Sequence, residues 1–284
     1  NTTSIATDDP QSNPRFIGSN PNNYIDIGDN SLWRIIGSFD MSDGTTTSKH
    51  LKITRATDIG QYAFDYNPED GSYSIDWDNA YLQDLLNKGF YWTRGKGTCY
   101  SLHYGDTVDC DFSTTGLTEK AKSYIDSVNW IRGGTTTNDI SSAGQYANEI
   151  SGTPSAGSGI WNGKIGLMYI TDYSFATSGG ATTSRDTCLN VDIYTWHDAD
   201  KTDCKKNSWL FHPTEMQWTF TGTPDGYVDY QQVVVGNEGS TYFYNMRYDA
   251  WPKSPVVRPT AYLQDEVRIV SGEGTQTNPY KISM

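Results

Sequence analysis

The chain has 284 residues, with 34 Asp and Glu against 21 Lys and Arg, for a net charge of −13. That balance repels phosphate backbones and anionic lipid and argues against a nucleic-acid partner. No run reaches the roughly 18 apolar residues that span a bilayer, so no membrane insertion by this segment is expected. Hydrophobic residues make up 36%, yet 20 Tyr and 9 Trp are too many for a disordered chain. The composition points to a folded, turn-rich, β-leaning protein with one substantial core.

Residues 1–22 are mostly Asn, Thr, Ser, Asp and Pro, with only "RFIG" to dock, and read as an N-terminal arm or linker end. The chain starts at Asn1 rather than Met, which reads as a processed or trimmed form. From Tyr24, "YIDIGDNSLWRIIGSF" reads as two strands round a turn at Gly28–Asn30, and "HLKITRA" as a third strand. "DNAYLQDLLNKG" has helical period, with Asp78 placed to cap its start and Gly89 its end. "TGLTEKAKSYIDSVNWIRGG" sets Leu117, Ala121, Tyr124, Ile125 and Val128 on one helical stripe.

Residues 133–163 are rich in Gly, Ser and Thr and predict a long exposed excursion. "GKIGLMYITDYSFAT" predicts a return to strand. A cysteine-bounded loop follows, and then "SWLF", "MQWTFTG", "YVDYQQVVVG", "STYFYNMRY", "SPVVRPTAYL" and "EVRIV" read as successive strands. With no linker after residue 22, a single α+β domain over 23–284 is the simplest reading.

Cys99, Cys110, Cys188 and Cys204 form no C-x-x-C pair, so zinc and thioredoxin readings lack support. Their even number and local grouping suggest disulfides Cys99–Cys110 and Cys188–Cys204, each worth roughly 3 kcal/mol. Three pairings of four cysteines exist, and the sequence does not choose among them. Disulfides imply an extracellular location.

Strong catalytic motifs are missing: no G-x-S-x-G, no H-E-x-x-H and no P-loop. His50, His103, His197 and His212 are scattered without metal-ligand spacing. The acidic groups Asp198, Asp200, Asp203 and Asp106, Asp109, Asp111 do not match a calcium loop. A non-enzyme without cofactor is expected. Tyr242, Tyr244, Tyr248 and Trp251, beside Gly/Asn/Asp-rich turns, are the candidate ligand-binding residues, because Tyr and Trp offer rigid apolar faces with a polar handle.

Arg34 in "LWRIIG" and Arg258 in "VVRP" are charges inside apolar strands, where an arginine must be paired or hydrogen-bonded. They are expected to be structural, satisfied by nearby carboxylates or carbonyls, with their two strands lying close together. Anion binding is the alternative.

The blocks "NPNNYIDIGDNSLWRIIGSFD", "LKITRATDIGQYAFDY", "STTGLTEKAKSYIDSVNW", "WNGKIGLMYITDYSFATSGG", "DTCLNVDIYTW" with "DCKKNSWLF", and "VVRPTAYLQDEVRIVSGEGTQTNPYKIS" occur in this order. From Arg15 to Met284 the chain resembles a family of uncharacterised exported surface-protein domains of Gram-positive, largely gut-dwelling bacteria. Some members carry a prepilin-like or other membrane-anchoring N-terminus. The resemblance implies a C-type-lectin-like fold with twisted antiparallel sheets, two short helices, long loops and paired N- and C-terminal strands. The chain lacks the Glu-Pro-Asn or Gln-Pro-Asp of a calcium–sugar loop and the cysteine pair of a formylglycine-generating enzyme.

These readings lead to an extracellular, cell-surface binding or adhesion domain whose partner is a glycan or a host or bacterial surface protein. Two alternatives stand beside it. One is a structural subunit of a pilin-like filament that associates with itself; the other is a carbohydrate-active enzyme.

Overall fold

The computed structural model describes residues 5–284 except 67, 70, 73, 102–104, 135–139, 153–158, 212–215, 224–229, 236–239 and 246–254. The chain is a mixed α+β protein, mostly sheet with a few short helices. Its organising element is the hairpin Trp33–Ser42 and Thr47–Arg55, in register from Trp33↔Arg55 to Ser42↔Thr47 with one bulge between Ile35 and Gly37. Asp43 Oδ1 closes the hairpin by accepting the N–H groups of Thr45 and Thr46 at 2.6 and 2.8 Å. Gly44 supplies the positive φ that this turn requires.

This hairpin lies at the centre of a nine-stranded sheet. The order runs Ile165–Gly166, Thr260–Tyr262, Thr47–Arg55, Trp33–Ser42, Tyr24–Asp26, Tyr280–Ser283, Arg268–Ser271. Tyr280–Ser283 joins in parallel beside Tyr24–Asp26, so the C-terminal strand pairs with one close to the N-terminus. Among the described residues there are also three smaller sheets: a hairpin of Lys96–Tyr100 with Thr107–Asp111, the pair Val128–Arg132 with Gly159–Gly163, and a meander of Met216–Trp218, Tyr230–Val235 and Ser240–Asn245.

The core is aromatic. Trp130 packs on Tyr262, Phe220 and Trp161 at 4.8, 5.2 and 6.2 Å between ring centroids, and Trp77 extends the stack to Phe64 and Phe220. Helix Tyr81–Asn87 buries Leu82, Leu85 and Leu86 against it. The start of this helix is capped from a distance: Asp65 Oδ1 takes the Tyr81 N–H at 2.7 Å, while Asp76, not Asp78, caps the preceding turn Trp77–Asn79. At its far end the Gly89 N–H donates to the Asp84 carbonyl.

Four stretches differ from the sequence reading. The supposed arm is built into the fold: Ile5–Ala6 pairs Arg15–Phe16, Arg15 pairs Gly37 in the central hairpin, and Asp9, Asn13 and Arg15 are buried. Polar composition hid this, because the segment docks mainly through hydrogen bonds and the ion pairs Arg15–Asp172 and Asp8–Arg185. Gly37→Ala probes the docking directly. A Cβ there would stand 2.4 Å from the Pro14 carbonyl oxygen and 3.2 Å from Arg15 Cα. The expected cost is about 1–3 kcal/mol in urea unfolding, with earlier proteolytic nicking between residues 5 and 16; an unchanged midpoint would show the segment to be loosely held.

The second expected helix stops at Tyr124, and Val128, Trp130 and Arg132 instead alternate inward along a strand. Val128 belongs to this period of two, not to the helical stripe. The excursion at 133–163 contains the helix Ser142–Ser151, capped by Ser141 and closed by Gly152 at positive φ. Its inward face is Ser142, Gln145, Tyr146 and Glu149, so an apolar-period search passes over it. Finally, "GKIGLMYITDYSFAT" forms only the two-residue strand Ile165–Gly166, followed by a helix, Ile170–Phe175, with all six residues buried. A helix buried all round has no amphipathic period to detect.

Candidate functional site

The disulfides are Cys99–Cys110 and Cys188–Cys204, with Cα–Cα distances of 5.9 and 5.5 Å. The first crosses the hairpin diagonally, and the second joins the short helices Arg185–Leu189 and Thr202–Lys206. No helix among the described residues is long and apolar enough to cross a membrane. Asp203 is occupied in fastening its loop, accepting from the Thr182 N–H and hydroxyl at 2.7 and 2.6 Å.

Arg34 lies in the central hairpin opposite Thr54, and Arg258 lies two residues before Thr260, which pairs with Thr54 from the other side. Arg34 donates to Asn23 Oδ1 at 2.8 Å and to Asn20 Oδ1 and the Pro21 carbonyl at 3.2 Å. Its guanidinium is sandwiched between the Tyr24 and Trp209 rings at 4.4 and 4.3 Å. Burial and the nearby Arg258 bring its pKa down to about 10. Arg258 donates twice to the Arg55 carbonyl, at 3.2 and 3.0 Å, and once to that of Leu210 at 3.2 Å. Tyr242 and Tyr244 pair with Val233 and Gln231 in the antiparallel meander. Tyr248 and Trp251 lie outside the described residues.

A different site emerges between the central hairpin, the strand pair Val128–Arg132 and Gly159–Gly163, and the helices Ser142–Ser151 and Ile170–Phe175. It is a cleft of about 380 Å³. Its rim carries the exposed residues Gln11, Asp40, Thr47 and Ile160 and the half-buried Met41, Asn129 and Ile150. Its walls are Phe39, Ile131, Tyr169 and Tyr262, and charge collects at the bottom: Arg15, Lys52, Glu149 and Asp172.

The arrangement follows from the fold. Lys52 occupies the middle of its strand, opposite Gly37 across the bulge, and points into the core with 1% side-chain exposure. Its Nζ donates to Asp172 Oδ2 at 2.5 Å. The rings of Tyr169, Phe39, Tyr262 and Trp130 surround it at 4.4, 5.5, 5.6 and 5.9 Å. Burial lowers the lysine's pKa, and Asp172 opposes that shift only in part. Asp172 is positioned by its own helix start, where Oδ2 accepts the Tyr169 N–H at 2.9 Å. Arg15 bridges the two acids, with Nε to Asp9 Oδ2 at 2.7 Å and Nη1 to Asp172 Oδ1 at 3.1 Å. Burial works against the Arg15 charge, but Asp172 and Asp9 more than compensate and raise its pKa.

Glu149 completes the group. It accepts from the Thr171 and Thr221 hydroxyls and from Gln145 Nε2. Burial pushes its carboxyl up to about 7, with the hydroxyl donors pulling the other way. The cluster is therefore close to neutral: Arg15 and Lys52 balance Asp9 and Asp172, and Glu149 holds a proton below neutral pH. None of these five was singled out by the sequence, since each stands alone in a segment of ordinary composition. Comparison with known proteins adds no relative: no family model, curated protein or solved structure matches the chain.

Proposed function

We propose that the chain is a non-enzymatic, exported binding domain displayed at the cell surface, belonging to the surface-protein family its sequence blocks resemble. A C-type-lectin-like fold is part of this proposal, supported by the parallel pairing of Tyr280–Ser283 with Tyr24–Asp26. The two disulfides and the lack of a membrane-crossing helix among the described residues are compatible with an extracellular setting.

The observation that carries the binding reading is the cleft. Its volume lies within the roughly 300–1,000 Å³ usual for small-ligand sites, and it combines aromatic walls with a polar rim. Such a lining suits one sugar residue of a glycan, or one side chain of a surface protein, inserted past Ile160 and Asn129. Tyr242, Tyr244, Tyr248 and Trp251 form the second contact surface of the proposal.

Ile160 is 64% exposed, so Ile160→Arg blocks the mouth without disturbing the core. On a glycan and surface-protein array this variant is expected to lose at least tenfold in capture while melting at the wild-type temperature. Retained capture in Ile160→Arg, with loss in Trp251→Ala, would move the site to the tyrosine-rich segment. Release of soluble glycan fragments by the wild type would replace the binding reading with an enzyme.

A further inference from the structure

Lys52 and Asp172 form a pair whose surroundings suit chemistry better than charge storage. An ammonium has three N–H donors, and a buried ion pair is stable only when its remaining donors and lone pairs are satisfied. Among the described residues, Lys52 Nζ hydrogen-bonds only to Asp172. Four aromatic rings stand around it, and it also borders the cleft. With both side chains 1% exposed, the neutral forms, amine and carboxylic acid, come closer in energy to the ion pair than they do in water. Nζ lies 2.5 Å from Asp172 Oδ2, an oxygen bonded directly to the carbon that the amine would attack.

We propose that Lys52 and Asp172 condense spontaneously in the folded chain to a side-chain amide, with Glu149 as the proton carrier. This goes beyond ligand binding and does not depend on it. The Lys52 ammonium first passes one proton to the Asp172 carboxylate. The amine lone pair then attacks Cγ, forming the C–N bond and a tetrahedral centre whose negative charge lies on Oδ1, which faces Arg15 Nη1. Protonated Glu149 gives its proton to the departing hydroxyl as the C–O bond breaks, and water leaves. The nitrogen then returns a proton to Glu149. Atoms and charge balance, and no oxidant, reductant or activated donor is required.

Three independent features support this assignment. Glu149 lines the same cleft, is hydrogen-bonded to Thr171 beside Asp172 in sequence, and is close enough for its charge to act on Lys52. Both reacting groups line the cleft, so the released water has an exit. Condensation removes one positive and one negative charge together, leaving Arg15 balanced by Asp9 at 2.7 Å. The bond would join residues 120 apart, whereas the disulfides span only 11 and 16. It would lock the central strand to the buried helix.

The test is the intact mass of the full chain, purified folded, then reduced and denatured. The expected mass is below the reduced-sequence mass by one water, with a branched peptide joining the Lys52 and Asp172 segments in tandem spectra. Lys52→Arg, which keeps the charge but not the nucleophile, and Glu149→Gln are both expected to show the full sequence mass. A wild-type chain at full sequence mass overturns the proposal. So does a water loss that maps elsewhere, for instance to an Asp43–Gly44 succinimide. A Lys52–Asp172 link found in the Glu149→Gln protein overturns the role given to Glu149. The wild-type mass decides the central point even if both variants fail to fold, and neither result bears on capture of a ligand.

Discussion

Arg15→Met is expected to lower the free energy of unfolding by about 3–5 kcal/mol, the cost of leaving buried charge without its partner. The side chain is 3% exposed and holds two acids at once. Its guanidinium also packs over Phe39, Phe175 and Tyr146 at 4.5, 5.0 and 5.3 Å. Methionine restores much of the apolar contact but leaves Asp9 buried, with Asn13 as its remaining side-chain donor. Arg34→Met is the informative comparison. Arg34 is equally enclosed by rings, but its hydrogen bonds go to neutral oxygens of Asn20, Asn23 and Pro21. Losing it leaves unsatisfied acceptors rather than an unpaired charge, a cost of about 1–3 kcal/mol. Urea midpoints at matched m-values give both numbers. If Arg34→Met proved the more damaging, the ion-pair hub would not be what secures the N-terminal segment.

That comparison also marks how far the sequence could be read. Arg34 and Arg258 were conspicuous because charge interrupts apolar runs, and the same logic applies to Arg132, which donates to the Phe220 and Ile75 carbonyls. Arg15 was not conspicuous, because it sits among polar residues that resemble a tail. The strand at 33–42 was legible as an apolar run after a turn and that at 47–55 from the alternation of "HLKITRA", and the local cysteine grouping suggested both disulfides. What escaped was every element buried through polar groups. The helix Ser142–Ser151 presents Gln145 and Glu149 inward. The cleft likewise draws its floor from four separated segments whose convergence depends on tertiary structure. Single-sequence periodicity registers apolar burial; it does not register a charge whose partner lies more than a hundred residues away.

Glu149 gives this buried polarity a measurable signature. Its carboxyl is pushed from the ordinary 4.5 up to about 7 in the folded chain. Between those values the folded protein keeps a proton that the unfolded chain has released. The group's contribution is therefore fully present below about pH 4.5 and is lost as the pH rises through about 7. At 1.36 kcal/mol for each unit of pKa, the loss amounts to about 3 kcal/mol. Wild-type stability is thus expected to fall between pH 5 and 8, where most domains are near their maximum. The decisive quantity is the slope rather than the absolute value. Glu149→Gln keeps one acceptor oxygen for one of the two hydroxyls of Thr171 and Thr221, its amide NH2 donates to the other, and it cannot titrate, so its profile over the same range should be flatter than the wild-type profile by the full amount. Subtracting the two curves removes contributions common to both proteins, including those of the histidines. The two profiles are compared in a Lys52→Arg background, where neither protein can carry the Lys52–Asp172 link and the same groups titrate in both apart from Glu149. Parallel profiles would mean that Glu149 is ionised in the folded chain at neutral pH, and the proton it is assigned to carry would then have to come from another group.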